Sequence, residues 1–277
     1  MIWKIKERPL DLTSHAIIMG ILNTTPDSFS DGGKFNDLET ALAHAREMIA
    51  EGATIIDIGG ESTRPGAPPV GAAEEISRTI PVIEALRTEW NGYISIDTQK
   101  AAIAAAALDA GADIVNDVSG LTSDPDMPGI CAGSGCGIVI MHMRGTPADM
   151  QDEPIYGNVV EDIRSFFQER LRTLTALGIS PDRLCFDPGI GFGKTLEHNL
   201  ALLRSLDILA PEKRPLLLGV SRKSFISKIP GTSSPSDRDP ATIAITAYAR
   251  RKNIMLHRVH DVKGNLAALR MVEALGK

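Results

Sequence analysis

Asp97, Asn116 and Asp187 offer two carboxylates and an amide, each where a short apolar run breaks off into polar sequence. Brought together, such groups can grip the edge of a planar heterocycle. A carboxylate accepts two parallel N–H bonds in a charge-assisted pair. A dicarboxylate metal site is the competing use of the same residues, although no His/Asp/Glu motif accompanies them. Arg64, Arg222, Lys223, Arg258 and His260 also stand at or just past the ends of apolar runs. In an acidic chain, cations placed this way read as a site for phosphate or pyrophosphate better than as solvated surface charge. Arg258 and His260 are two apart on one run, so their side chains share a face. His142 reads equally well as a hydrogen-bonded strand-end histidine and as a catalytic one, whereas Met141 and Met143 read as packing.

These residues need elements to carry them. Apolar runs at 16–22, 54–58, 93–96, 113–115, 137–141, 183–186, 215–220 and 254–257 predict eight strands. Helical periodicity fills the gaps at 37–50, 72–90, 99–110, 159–177, 195–206, 240–251 and 261–275, with Pro81 a possible kink and Asp261 an N-cap. Uninterrupted strand–helix alternation predicts a parallel α/β fold, here a (β/α)₈ TIM barrel forming one domain over 1–277. The C-terminal strand ends of such a barrel converge on one face, which is where its active sites lie. Residues 2–6 and 10–12 fall outside the rhythm and predict an N-terminal hairpin covering the barrel bottom. Two long loops, 23–35 and 59–71, each follow a strand and should overhang the active face. Residues 230–239 read as a surface loop.

Composition narrows the classes. The 277 residues are 43% hydrophobic but only 4% aromatic, so Ile, Leu, Val and Ala must fill the core, as buried parallel strands prefer. A net charge of −6 argues against non-specific nucleic-acid or membrane partners. Cys131, Cys136 and Cys185 read as reduced thiols of a cytoplasmic protein. Residues 1–10 lack the apolar core of a signal peptide.

The segment 187–195, DPGIGFGKT, invites two nucleotide-binding readings and satisfies neither. A Walker A loop would need Gly where Pro188 stands, and the glycines at 189, 191 and 193 do not make G-x-G-x-x-G. The expectation is a flexible loop whose glycines let a flat ligand approach Asp187 closely.

Seven segments together carry a resemblance. Residues 19–33 (MGILNTTPDSFSDGG), 57–66 (DIGGESTRPG), 95–98 (SIDT), 111–120 (GADIVNDVSG), 187–194 (DPGIGFGK), 220–226 (VSRKSFI) and 258–262 (RVHDV) resemble, in order and spacing, the motifs of the bacterial dihydropteroate synthase family. The resemblance implies condensation of 6-hydroxymethyl-7,8-dihydropterin diphosphate with p-aminobenzoate to 7,8-dihydropteroate and pyrophosphate, assisted by Mg²⁺, in a homodimer sensitive to sulfonamides. It implies that Asp97, Asn116, Asp187 and Lys223 hold the pterin. Asn23 helps bind Mg²⁺, and Asn23, Thr63, Arg258 and His260 hold the diphosphate. Phe29, Asp31, Arg64, Pro65, Phe192 and Ser221 surround p-aminobenzoate and its covering loops.

The aniline nucleophile is neutral at neutral pH, so no strong base is required, and an SN1-like departure of pyrophosphate is chemically reasonable. Asp31 could stabilise the cation when its loop closes and excludes water, and Lys223, Arg258 and His260 would act on the leaving group. Two rivals share the pocket: a pterin-dependent methyltransferase on the same barrel, and a non-catalytic pterin-binding protein.

Overall fold

The computed structural model describes residues 1–24, 34–62, 67, 69–145, 150, 154–232, 234 and 237–276. The chain opens with a short antiparallel hairpin of β1 (Ile2–Trp3) and β2 (Leu10–Asp11), in which Ile2 faces Asp11 and Trp3 faces Leu10. The alternation then runs β3 (Ile17–Asn23), α1 (Lys34–Ala50), β4 (Ile55–Gly59), α2 (Ala72–Glu89), β5 (Tyr93–Asp97), α3 (Ala101–Asp109) and β6 (Ile114–Asp117). It continues with α4 (Met127–Ser134), β7 (Gly137–Met141), α5 (Val159–Ala176), β8 (Leu184–Asp187), α6 (Leu196–Arg204) and α7 (Leu206–Leu209). It closes with β9 (Leu217–Gly219), α8 (Arg238–Arg251), β10 (Leu256–Val259) and α9 (Val262–Leu275).

Strands β3 to β10 form one parallel sheet in the order β8-β7-β6-β5-β4-β3-β10-β9. Its two outer strands meet through a single parallel bridge, Phe186 to Leu216, and the Phe186 N–H donates to Pro215 O at 2.9 Å. This is the expected (β/α)₈ TIM barrel.

Period-two alternation sorts each strand's side chains between two environments. Outward residues such as Ile18, Leu22, Ile56, Ile58, Ile96, Ile138 and Phe186 join the core beneath the helices. Inward residues at the N-terminal strand ends, including Ile17, Met19, Ile55, Ile114, Val139, Cys185 and Leu217, join Trp3, Ile5, Leu10 and Leu12 in a second core. The hairpin therefore plugs the barrel bottom. The Trp3 indole N–H donates to Arg183 O at 2.8 Å, which satisfies the polar atom of that buried side chain.

Several boundaries differ from expectation for local reasons. The strands run on by a residue or more, so Asn23, Asp97, Asn116, Asp117 and Asp187 lie within strands rather than beyond them. The run 215–220 yields only a three-residue strand, because Pro215 has no N–H for a ladder. The helix expected over 195–206 breaks at Ser205 into α6 and α7. Helix α4 was not anticipated, since MPGICAGS carries two glycines and a proline. Helix α2 runs through Pro81, and Asp261 does cap α9, accepting from the Gly264 N–H at 3.0 Å.

The plug yields a test. Trp3→Ala should leave a cavity at the barrel bottom and cost about 3–5 kcal/mol of stability. Thermal unfolding reads the loss, and ligand affinity at the opposite face should stay unchanged.

Candidate active site

Towards the C-terminal ends of the strands the inward positions change character. β4 contributes Asp57, β5 Asp97, β6 Asn116, β8 Asp187, β9 Gly219 and β10 Arg258, so the apolar interior gives way to an ionic layer. Asp117, next to Asn116, takes the outward parity. It closes its own loop instead, accepting from the N–H groups of Ser119 and Leu121 at 2.7 and 3.2 Å.

Arg258 is the centre of this layer. Its Nε donates to Asp57 Oδ2 at 2.5 Å and its Nη2 to Asp97 Oδ2 at 2.6 Å. Burial works against the guanidinium charge, but the two carboxylates outweigh it and raise the Arg258 pKa. Asn116 Nδ2 donates to the same Asp57 oxygen at 3.0 Å. Burial pushes Asp97 up to about 7, against the pull of Arg258.

Asp187 and Lys223 form a second group. Asp187 Oδ1 accepts from the Gly189 N–H at 2.7 Å. Burial raises its pKa, while nearby Lys223 pulls the other way. The Lys223 ammonium donates to Ile190 O and sits 4.5 Å from the centroid of the Phe192 ring. Burial lowers Lys223 to about 8, with Asp187 opposing. Both groups border one shallow cleft, with Val118 and Met141 on its apolar side. A side chain at Gly219 would enter it, since a Cβ there lies 3.5 Å from Asp187 Oδ2 and 3.9 Å from Arg258 Cβ.

Ser221 and His260 stand together at the rim. Ser221 Oγ lies 2.9 Å from His260 Nδ1 and accepts from the His260 N–H at 3.1 Å. Asn23 ends β3 beside Gly59 and is half-buried. Phe29, Asp31, Thr63, Arg64 and Pro65 lie outside the described residues.

Two expectations need correction, for Arg222 and for the glycines, while His142 takes the first of its two readings, the hydrogen-bonded strand-end one. Arg222 leaves the cationic group: beyond β9 the chain turns it outward, where it pairs with Asp239 on α8 at 2.7 and 2.9 Å. His142 sits in a buried polar knot, with Lys194 Nζ 3.2 Å from its Nδ1, and burial holds it neutral by pulling its pKa to about 3. Gly189 and Gly193 serve the backbone rather than a flat ligand. A Cβ at Gly189 would stand 2.0 Å from His142 O, and one at Gly193 2.5 Å from Arg144 O. Asp57 and Lys194 escaped the sequence reading. An aspartate at an inward position inside the apolar run 54–58 was the available signal for the first.

Against this geometry, comparison with known proteins is decisive. The model of the pterin binding enzyme family matches residues 19–260. The chain belongs to the pterin-binding enzyme family. It is 47% identical over 265 residues to the dihydropteroate synthase of a Synechocystis species, covering 96% of this chain and 92% of that protein. The Yersinia pestis dihydropteroate synthase, solved as a sulfonamide drug complex, superposes with a TM-score of 0.92 at 43% identity, covering 100% of this chain and 99% of that one. The Burkholderia cenocepacia enzyme, solved with 7,8-dihydropteroate, gives 0.90 at 41% identity, covering 99% and 96%. All three relatives are bacterial dihydropteroate synthases, as the motifs implied.

Gly189 tests how the Asp187 loop is held. Its φ of +63° and the closeness of His142 O both forbid a side chain. Gly189→Ala should cost at least about 2 kcal/mol, read as a fall in melting temperature.

Proposed function

We infer that this chain condenses 6-hydroxymethyl-7,8-dihydropterin diphosphate with p-aminobenzoate, releasing pyrophosphate, and that the ionic layer of the barrel mouth is its pterin site. The observation that carries the assignment is Asp187, a buried strand-end carboxylate with Lys223 beside it and an open cleft before it. A dihydropterin presents adjacent ring and exocyclic N–H groups, which a carboxylate accepts as a charge-assisted pair. Asp97 and Asn116 take the other polar edge, and Val118 and Met141 pack against the ring.

Arg258 and His260, with Thr63 and Asn23, hold the diphosphate. Two edges of the Arg258 guanidinium are already fixed by Asp57 and Asp97, so it meets the anion in one orientation. Ser221 sets the His260 tautomer. Its oxygen accepts the His260 backbone N–H, its own hydrogen goes to Nδ1, and Nε2 is left protonated as a donor to the anion.

Asn23 supplies one hard oxygen donor at the mouth. Asn23 would hold Mg²⁺ together with diphosphate oxygens, the hard donors that this cation prefers. When bound, Mg²⁺ neutralises charge that builds on the leaving pyrophosphate. Departure leaves a cationic methylene conjugated to the electron-rich dihydropterin, and Asp31 is the carboxylate assigned to it. The neutral aniline then attacks without a strong base, flanked by Phe192, Ser221, Phe29, Arg64 and Pro65.

Three wider assignments complete the proposal: residues 1–277 act as one unit, the protein is a homodimer, and it works in the cytoplasm. Cys131, Cys136 and Cys185, all buried and free, suit a reducing compartment. Exposed Met271 and Leu275 on α9 offer apolar surface for a second copy.

The direct test is pyrophosphate release from the pterin diphosphate, which should require p-aminobenzoate for sustained turnover and yield dihydropteroate. In that assay Asp187→Asn should lower kcat/KM by about 10²-fold or more, because it loses the paired ionic bonds at constant size. Near-normal kinetics would refute the pocket assignment. His260→Ala should weaken pyrophosphate in calorimetry while sparing an unphosphorylated pterin, and an equal loss for both ligands would remove His260 from the anion site.

A further inference from the structure

Asp57 is wholly buried, yet only one of its two oxygens is hydrogen-bonded among the described residues. One oxygen, Oδ2, accepts from both Asn116 Nδ2 and Arg258 Nε. The other, Oδ1, has no hydrogen-bond partner among the described residues. Ser95, its register neighbour on β5, likewise leaves its hydroxyl unpartnered there. A wholly apolar layer of similar volume could be as stable as this ionic one, although removing Asp57 alone would leave Arg258 less compensated. Stability therefore does not by itself explain Asp57.

Its partners do. Asn116 and Arg258 lie on different strands and reach towards different parts of the substrate, yet both hang on the same oxygen atom. We propose that Asp57 is a positioning residue: it orients the Asn116 amide and the Arg258 guanidinium through one shared oxygen, and its charge sets how strongly Arg258 attracts an anion. The inference rests on the assignment of Asn116 to the pterin and Arg258 to the diphosphate.

Two consequences separate this role from simple packing. First, the shared oxygen needs only to be an acceptor, so Asp57→Asn can keep both hydrogen bonds through its carbonyl while Asp57→Ala cannot. Second, Arg258 is hydrogen-bonded to two carboxylates, so removing the charge of Asp57 leaves Asp97 as its sole directly bonded counter-charge. In Asp57→Asn a neutral ligand should then be nearly unaffected while an anionic one gains. A merely structural lesion would weaken both.

The experiment measures calorimetric affinity of the full-length wild type, Asp57→Asn, Asp57→Ala and Asp187→Asn for 6-hydroxymethylpterin and for inorganic pyrophosphate. Asp57→Asn should bind the pterin within about threefold of wild type and pyrophosphate at least about threefold more tightly. Asp57→Ala should bind the pterin at least about tenfold more weakly. Parallel weakening of both ligands in Asp57→Asn, or wild-type pterin affinity in Asp57→Ala, overturns the proposal. Should Asp57→Ala fail to fold, the split in Asp57→Asn decides alone. Asp187→Asn separates the two levels of inference. If it binds the pterin normally, the pterin-site assignment itself fails; if it loses the pterin while the Asp57 variants break the expected pattern, only the role of Asp57 does.

Discussion

Charge balance in a buried layer is the constraint on which the barrel mouth depends. Asp57, Asp97, Asp187, Lys223 and Arg258 crowd a space that the strands largely shield from bulk water, three carboxylates against two cations. Isolated, any one of these charges would be costly to bury, and removing one partner from such a set leaves another uncompensated. The layer copes by sharing. Arg258 serves two acids, Lys223 lies beside Asp187, and burial raises the pKa of Asp97 to about 7 against the pull of Arg258.

The same strands that carry this layer also insulate it. Inward positions near the barrel bottom are apolar and sealed by Trp3, Ile5, Leu10 and Leu12, while the corresponding positions one or two residues further along are ionic. A rigid apolar base lets the charged groups be held by short hydrogen bonds rather than by flexible solvent contacts. That rigidity makes the electrostatics pre-organised, as stabilisation of a departing anion requires.

How much of this was legible in the sequence follows from the same geometry. Eight apolar runs ending in polar residues are a signal of periodicity, and periodicity survives translation into strands even when boundaries shift by a residue. Asp97, Asn116 and Asp187 were found because they terminate those runs. Asp57 was missed because it interrupts one, and an acid flanked by isoleucines looks like a strand interior until parity shows it facing inward beneath Asp97. Arg222 misled because proximity in sequence to Lys223 says nothing about direction once the chain turns after Gly219. The glycines of 187–194 misled in another way. Their need for positive φ was readable, but the carbonyls they make room for, on His142 and Arg144, belong to a strand end and loop far away in sequence.

The seam between β8 and β9 borders the end of the cleft that Asp187 lines. Seven strand pairings are regular ladders, whereas this one is a lone bridge at Phe186 and Leu216, because Pro215 removes a donor and β9 ends after three residues. Asp187 ends β8 and Lys223 follows β9 on the two sides of this seam, with the Phe192 ring 4.5 Å from the ammonium, so an electrostatic and a cation–π contact lie beside the least laddered strand pair. Contacts of that kind can exchange partners with a ligand, which a ladder cannot do without opening the sheet. The least regular part of the barrel is thus also the part best able to bind, and the proline that weakens the ladder belongs to the same design as the acid that faces the cleft.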